Sequence, residues 1–170
     1  MALLEICTYP DPVLREKAIR VEKVDRELRK LIDDMAETMY DAPGIGLAAN
    51  QVGKPLRLVV IDIQKPEDEH GLIVLVNPEI VSGQGEITCE EGCLSVPEFF
   101  SKVKRFEEVV VQGIDQHEKT CRIEASGLLA VALQHEIDHL EGKLFIDRIG
   151  LIARDIFKRK WKKKLKEERV

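Results

Sequence analysis

Aromatic residues and long hydrophobic runs are scarce in this sequence. Aromatics make up 5% of its 170 residues, so a core would consist mainly of Leu, Ile and Val. The apolar run 56–63 is broken by Arg57 and Asp62, and no segment approaches the roughly 20 apolar residues of a membrane-spanning helix. The first ten residues lack the basic and apolar regions of a signal peptide. We therefore expect a cytoplasmic protein with no membrane partner.

Cysteine is also infrequent, and the charge is only mildly acidic. The four cysteines should not form disulfides in a reducing compartment, and Cys7 and Cys121 are interpreted as small apolar core residues. The net charge of -5 favours solubility and says little about partners. A chain of this length can bury a core without disulfides. We predict a single catalytic domain over 1–170, with 151–170 as a basic C-terminal helix.

Hydrophobic periodicity predicts three helices and a series of β-strands. The helices are expected over 25–41, with Asp25 as N-cap, over 126–140, and from about Leu151 to Glu168. The second helix is apolar on almost every face and should be buried. Segments rich in Val and Ile predict strands over 56–63, 72–81, 84–90, 107–114 and 120–125. The predicted fold class is α+β, with antiparallel β-sheets packed around a buried central helix, an N-terminal helix and a C-terminal helix.

The second helix contains the sequence HExxH, from His135 to His139. Four residues advance a helix by just over one turn, so both imidazoles point to one side and can share a metal ion. Glu136 lies about 100° around the helix, close enough to take a proton from a water molecule at the ion. Two unpaired histidines on a buried helix would be costly, which argues against a purely structural role. Asp138 could orient a neighbouring side chain.

Two histidines leave a tetrahedral metal site incomplete. The downstream carboxylates Glu141 and Asp147 have no persuasive spacing, whereas the thiol of Cys93 is a suitable third ligand. Gly92 is predicted to turn the chain at Cys93 and to contact the substrate, and Pro97 is predicted to end the strand. The alternative is a closed structural zinc site that also uses Cys89. It would leave Glu136 without a role, so Cys89 is interpreted as a core residue.

Three separated blocks resemble the peptide deformylase family. They are Gly44-Ile-Gly-Leu-Ala-Ala-Asn-Gln51, Glu91-Gly-Cys-Leu-Ser95 and Gln134-His-Glu-Ile-Asp-His-Leu140. The resemblance implies removal of the formyl group from formyl-methionine at the start of nascent polypeptides, with release of formate. It implies Cys93, His135 and His139 as metal ligands, Glu136 as general base and acid, and Gln51 and the backbone N–H of Leu94 as oxyanion donors. It implies one divalent ion, usually Fe2+, with Ni2+, Co2+ or Zn2+ able to occupy the same site.

Residues on the metal-facing side of the second helix predict an apolar pocket for methionine. Leu128, Val131 and Ala132 precede His135 by seven, four and three positions, and an unbranched thioether fits such a slot. Ile45 and Gly46 resemble the family's extended edge, which would hydrogen-bond the peptide backbone. An endopeptidase with the same HExxH chemistry and a zinc-stabilised binding module are the alternative functions.

The stretch 154–169 is dense in Lys and Arg within an otherwise acidic chain. The simpler interpretation is a solvated helix that packs through apolar residues, namely Leu151, Ile152, Ile156, Trp161 and Leu165. The alternative hypothesis is a surface that binds phosphates of ribosomal RNA near the peptide exit, as the family resemblance would allow.

Overall fold

A computed structural model describes residues 2–168 of the chain. Its helices are α1 (Arg26–Asp41), α2 (Gly127–Leu140) and α3 (Leu151–Glu168). Its strands are β1 (Gly46–Ala48), β2 (Leu58–Ile61), β3 (Ile73–Gln84), β4 (Ile87–Cys93), β5 (Val96–Arg105), β6 (Glu108–Ile114) and β7 (Thr120–Ser126). Short 3₁₀ turns cover Pro12–Arg15, Ala49–Val52 and Phe145–Asp147.

The strands form two antiparallel sheets. One has five strands in the order β1-β2-β3-β6-β7, and the other is the two-stranded hairpin β4-β5. Helices α1 and α2 cover opposite faces of the five-stranded sheet. Successive side chains of a strand point to opposite faces, so neighbouring residues of β2 contact different helices. Val59 and Ile61 pack with α2, while Leu58 and Val60 pack with α1. The α+β class and the buried central helix are confirmed.

The ends of the helices follow from local chemistry. Asp25 caps α1 by accepting a hydrogen bond from the backbone N–H of Leu28 at 2.9 Å. Ser126 precedes α2 as its N-cap residue, and Gly142, with a φ of 75°, adopts the left-handed conformation just beyond its end. These boundaries agree with the predicted helices over 25–41 and 126–140.

The strand predictions were wrong around the hairpin. We predicted one strand over 84–90 and expected Pro97 to stop the strand that carries Cys93. Instead β4 spans Ile87–Cys93, and Pro97 lies inside β5, a strand that was not predicted. Proline is tolerated there because a strand in a two-stranded sheet has one edge without a ladder partner. The turn Leu94–Ser95 joins the two strands, with Cys93 opposite Val96. The glycine-rich loop after α1 also contains a strand, β1, which is only three residues long.

Helix α3 packs through a single aromatic face. Phe157 is buried, and its ring lies 4.9 Å from that of Phe99 and 5.3 Å from that of Tyr9. The prediction that Leu151 and Ile152 pack was wrong, because both are more than 80% exposed. The aromatic contacts fix the rotation of the helix and turn these two residues outward, and Ile156 is also exposed. Among residues 2–168, none of the helices combines the length and the apolar character that a membrane-spanning helix needs. The single-domain organisation stays a prediction.

Candidate metal centre and active site

Three potential metal ligands converge where the two sheets meet helix α2. His135 and His139 lie one turn apart on α2, and their Nε2 atoms are 3.2 Å apart. Cys93, the last residue of β4, places its Sγ atom 3.4 Å from Nε2 of His139. The three candidate ligand atoms all lie within 4.8 Å of one another. Among the described residues, this is the one cluster of His, Cys, Asp or Glu with such geometry.

The other candidate ligands are directed elsewhere. Glu141 accepts a hydrogen bond from Arg57 at 2.9 Å, and Asp147 pairs with Arg15. Cys89, which was expected in the core, is half-buried and lines a cavity instead, because β4 borders the cavity and is not enclosed between packed layers. The described residues therefore form a three-ligand site, which leaves room for water or substrate, rather than a closed four-ligand site.

The charges around the cluster suit a cation. Burial would lower the pKa of His135, but its contacts with Cys93 and Glu91, and the charge of Glu136, raise that pKa well above its ordinary value. These acidic neighbours favour a positive charge at the cluster. Burial and the neighbouring His135 lower the pKa of His139 well below its ordinary value, which favours the neutral imidazole that a metal ion needs.

Glu136 places a buried carboxyl group beside the candidate ligand His135. Its Oε1 atom lies 3.8 Å from Nε2 of His135, and its Oε2 atom is buried with no hydrogen-bond partner among the described residues. Burial raises the pKa of the Glu136 carboxyl to about 7. A carboxyl with this pKa can both accept and donate a proton near neutral pH.

Gln51 is held so that its amide nitrogen faces the cluster. Its Oε1 atom accepts a hydrogen bond from the backbone N–H of Ala48 at 2.9 Å. Its Nε2 atom donates to Oγ of Ser95 at 3.0 Å and lies 3.6 Å from Sγ of Cys93. Leu94 follows Cys93 in the hairpin turn and also lines the cavity. The side-chain amide of Gln51 therefore lies beside a candidate ligand, and Leu94 follows that ligand directly in the chain.

A cavity of about 500 Å³ opens next to the cluster. It is lined by every predicted site residue except His139, which is buried. Those residues are Ile45, Gly46, Gln51, Gly92, Cys93, Leu94, Leu128, Val131, Ala132, His135 and Glu136. Leucine, valine and alanine side chains of α2 thus form an apolar wall beside the ion site, as the helical spacing predicts.

Strand β1 borders the cavity as an unpaired edge of the five-stranded sheet. The backbone N–H of Asp62 donates to the carbonyl of Ile45 at 2.8 Å, so Ile45 uses that carbonyl within the sheet. Gly46 is the next residue and pairs with Ile61 in the register. Because the bonding direction alternates along an antiparallel strand, the backbone groups of Gly46 point to the free edge. This residue is therefore placed to bond an extended peptide.

Sequence reasoning missed the roles of Glu91 and Arg105 behind the cluster. The Nδ1–H of His135 donates to Glu91 at 2.9 Å, and Arg105 donates two hydrogen bonds to the same carboxylate at 2.7 and 2.8 Å. Burial would raise the pKa of Glu91, but these hydrogen bonds lower it to about 2. Asp138 contacts Arg105 and Arg148 and does not reach a ligand itself. Glu91 lies within a recognised block, whereas no local pattern marks Arg105.

Comparison with known proteins shows to which family this chain belongs. The model of the family described as polypeptide deformylase matches residues 3–155. The chain belongs to the peptide deformylase family. Family membership confirms the resemblance found in the sequence and supports neither the endopeptidase nor the binding module.

Relatives and solved structures of this family match almost the whole chain. A peptide deformylase of Syntrophobacter fumaroxidans is 71% identical over 98% of this chain and 98% of its own length. The crystal structure of a peptide deformylase from Legionella pneumophila is 49% identical, with a TM-score of 0.89 over 98% of this chain and 97% of that one. The Ehrlichia chaffeensis enzyme, solved in complex with actinonin, is 42% identical, with a TM-score of 0.90 over 96% and 98% of the two chains.

Proposed function

We propose that this chain removes the formyl group from N-formylmethionyl peptides by hydrolysing the formamide bond. The observation that carries the proposal is the convergence of Cys93, His135 and His139 beside the buried carboxyl of Glu136, at the wall of an apolar cavity. This constellation occurs in a chain whose family model matches residues 3–155.

Cys93, His135 and His139 would hold one divalent ion, since thiolate and imidazole donors suit Fe2+, Zn2+, Co2+ and Ni2+. The bound ion would supply a Lewis acid, which polarises the formyl carbonyl and lowers the pKa of a water molecule that it binds. We infer Fe2+ as the native ion, because the family resemblance implies it. Anaerobic purification followed by elemental analysis tests this inference, and zinc in stoichiometric amount with air-stable activity would contradict it.

Glu136 moves the protons in this proposal. In its ionised form it accepts a proton from water as the water oxygen attacks the formyl carbon. It then donates that proton to the leaving amine nitrogen as the C–N bond breaks, so that formate and a free amino terminus are produced.

Gln51 and the backbone N–H of Leu94 stabilise the negative charge that develops on the formyl oxygen. The bond from Ala48 to Oε1 of Gln51 fixes the amide orientation, so Nε2 points to the cavity without reorganising during the reaction. Ser95 uses one of the two N–H groups of Nε2. The other N–H is directed to the Cys93 side, where the oxyanion would form.

The substrate would bind along β1 and into the apolar wall. Its backbone would add to the free edge at Gly46, as in other cases of strand addition. The methionine side chain would lie against Leu128, Val131 and Ala132. Gly92 also borders the cavity, and its lack of a side chain leaves space that the ring of Phe100 occupies.

Formate release from formyl-Met-Ala-Ser tests the activity. The matched substrate is the acetylated peptide, which has one additional methyl group at the reacting carbon, and an unblocked peptide tests for endopeptidase cleavage. We expect formate from the first substrate and no cleavage of an internal peptide bond. Internal cleavage without formate release would contradict the proposal.

We also propose that nascent chains meet this enzyme at the ribosome in the cytoplasm, through the basic surface of α3. The charged positions of this helix include Lys158, Arg159, Lys160, Lys162, Lys163, Lys164 and Lys166. Phosphate contacts of this kind weaken steeply with salt. Co-sedimentation with ribosomes at two salt concentrations, with and without Lys162→Glu and Lys163→Glu, tests the proposal. Salt-independent binding that the substitutions leave unchanged would contradict it.

A further inference from the structure

A buried series of alternating charges extends from the candidate metal centre to the protein surface. It begins at His135 and passes through Glu91, Arg105 and Asp138 to Arg148. Every link is a hydrogen bond or ion pair, with distances from 2.5 Å for Arg148 to Asp138 up to 2.9 Å for His135 to Glu91. The series joins β4, the end of β5, α2 and the segment before α3.

Arg105 occupies the centre of this series. Its side chain is 2% exposed, and three of its nitrogen atoms donate to two different carboxylates. Nε and Nη2 bind the two oxygens of Glu91, while Nη1 binds Asp138 at 2.8 Å. Only a planar guanidinium presents donors in this arrangement, since the ammonium of lysine is a point charge. The orientation of the Glu91 carboxylate is therefore set by Arg105.

Fixing Glu91 also fixes the ring of His135. Its Nδ1–H donates to Glu91, which leaves the lone pair of Nε2 for an ion. His139 has no equivalent support, because its Nδ1 atom is buried without a hydrogen-bond partner among the described residues. The two histidines are thus unequal, and one of them depends on groups that do not touch the ion site.

We propose that Arg105 is a positioning residue, supported from behind by Asp138 and Arg148, that determines how long the site retains its ion. The inference rests on the proposed function in one respect, namely that Cys93, His135 and His139 hold the ion. Arg105 acts through Glu91 on the orientation of His135. Loss of the bidentate contact would let the imidazole rotate and would speed ion release.

The test uses the full chain loaded with Co2+, whose visible absorption reports the geometry of its ligands. We would measure the rate of Co2+ release to excess chelator for the wild type, Arg105→Lys and Arg148→Gln. Arg105→Lys keeps the charge and removes the fork, and we expect release about 10-fold faster, with a changed absorption spectrum. Arg148→Gln should give a smaller acceleration. The control is Arg122→Gln on β7, which also removes an ion-paired arginine, is exposed, lines neither the cavity nor the candidate metal centre, and should change neither quantity.

Wild-type release rates and spectra in both Arg105→Lys and Arg148→Gln would overturn the proposal, even if the metal-free variants melted at lower temperature. Such a result would mean that the series only stabilises the fold. If Arg105→Lys does not fold, the release rate of Arg148→Gln decides whether the proposal holds. The side chain of Arg148 is 40% exposed, so its replacement should not prevent folding. Co2+ retention by a wild type that releases no formate would refute the proposed function and leave this inference to be judged on the release rates.

Discussion

Replacement of Gly46 by alanine would place one methyl group against the carboxylate of Glu136. A Cβ atom at this position would lie 2.9 Å from both Cγ and Oε1 of Glu136 and 3.0 Å from its Cδ. Glu136 is buried, so it cannot simply turn into solvent. The substitution therefore tests whether the exact placement of this carboxylate controls the reaction.

The expected effect can be worked out from the contact distances. Carbon atoms in contact ordinarily lie about 3.5 Å or more apart, so either Glu136 or β1 must move by about 0.5 Å. A displacement of about 1 Å in a catalytic group can reduce the rate about 100-fold. We expect Gly46→Ala to reduce kcat between about 10-fold and about 100-fold, and to raise KM as well if β1 moves.

The assay is formate release from formyl-Met-Ala-Ser, measured over a range of substrate concentrations with the metal content determined on the same samples. Gly150→Ala is the matched control, because a Cβ atom there would meet nothing within 4 Å. Both substitutions add the same methyl group, so their difference reports the contact with Glu136. The control should retain the wild-type kcat.

A Gly46→Ala variant with full metal occupancy and at least half of the wild-type kcat would refute the reasoning. That result would mean that Glu136 has space to adjust, or that its position is not critical. Loss of metal in the variant would point to a different cause, since Glu136 is not one of the three candidate ligands.

Four further predictions follow from the same site. Glu136→Gln should abolish formate release while metal content stays at the wild-type level, and a variant that loses the metal instead would assign Glu136 a different role. Gln51→Ala should reduce kcat about 100-fold or more, as for other oxyanion donors, and unchanged kcat would exclude this assignment. Glu91 has a pKa of about 2 in the folded protein, against an ordinary value of 4.5, so its ionisation stabilises the fold above pH 4.5. This contribution to the free energy of unfolding should be lost as the pH falls to about 2. Urea unfolding at several pH values measures the loss, which should be smaller in the Glu91→Gln variant. Phe157→Ala should destabilise the protein by about 3–5 kcal/mol in urea unfolding, because the side chain is buried, and a loss below about 1 kcal/mol would show that α3 is not part of the core.

Local patterns were sufficient for the helices and for the two imidazoles. The side chains of His135 and His139 share one side of α2 because of the helical period alone, and Leu128, Val131 and Ala132 follow for the same reason. The cap at Asp25 and the apolar face of α1 are also local features. These predictions needed no knowledge of distant residues.

The hairpin β4-β5 shows where local patterns fail. Pro97 indicates the end of a strand in most settings, yet here the strand lies in a two-stranded sheet in which one edge needs no partner. Whether a strand has one neighbour or two is decided by the assembly of the whole chain. The same holds for α3, where contact with Tyr9 and Phe99 decides which residues are buried.

Helical spacing alone places two histidines and a glutamate together on α2, because the position of a residue along a helix sets the direction of its side chain. Cys93 was predicted as third ligand from thiolate chemistry and the family resemblance, whereas its approach to the histidines and the support of His135 by Arg105 through Glu91 arise from the tertiary fold. These residues are between 14 and 46 positions apart along the chain, and their approach depends on how β4, β5 and α2 pack. No helical or strand period brings such distant residues together, since their contacts arise when separate elements bury their apolar faces against one another.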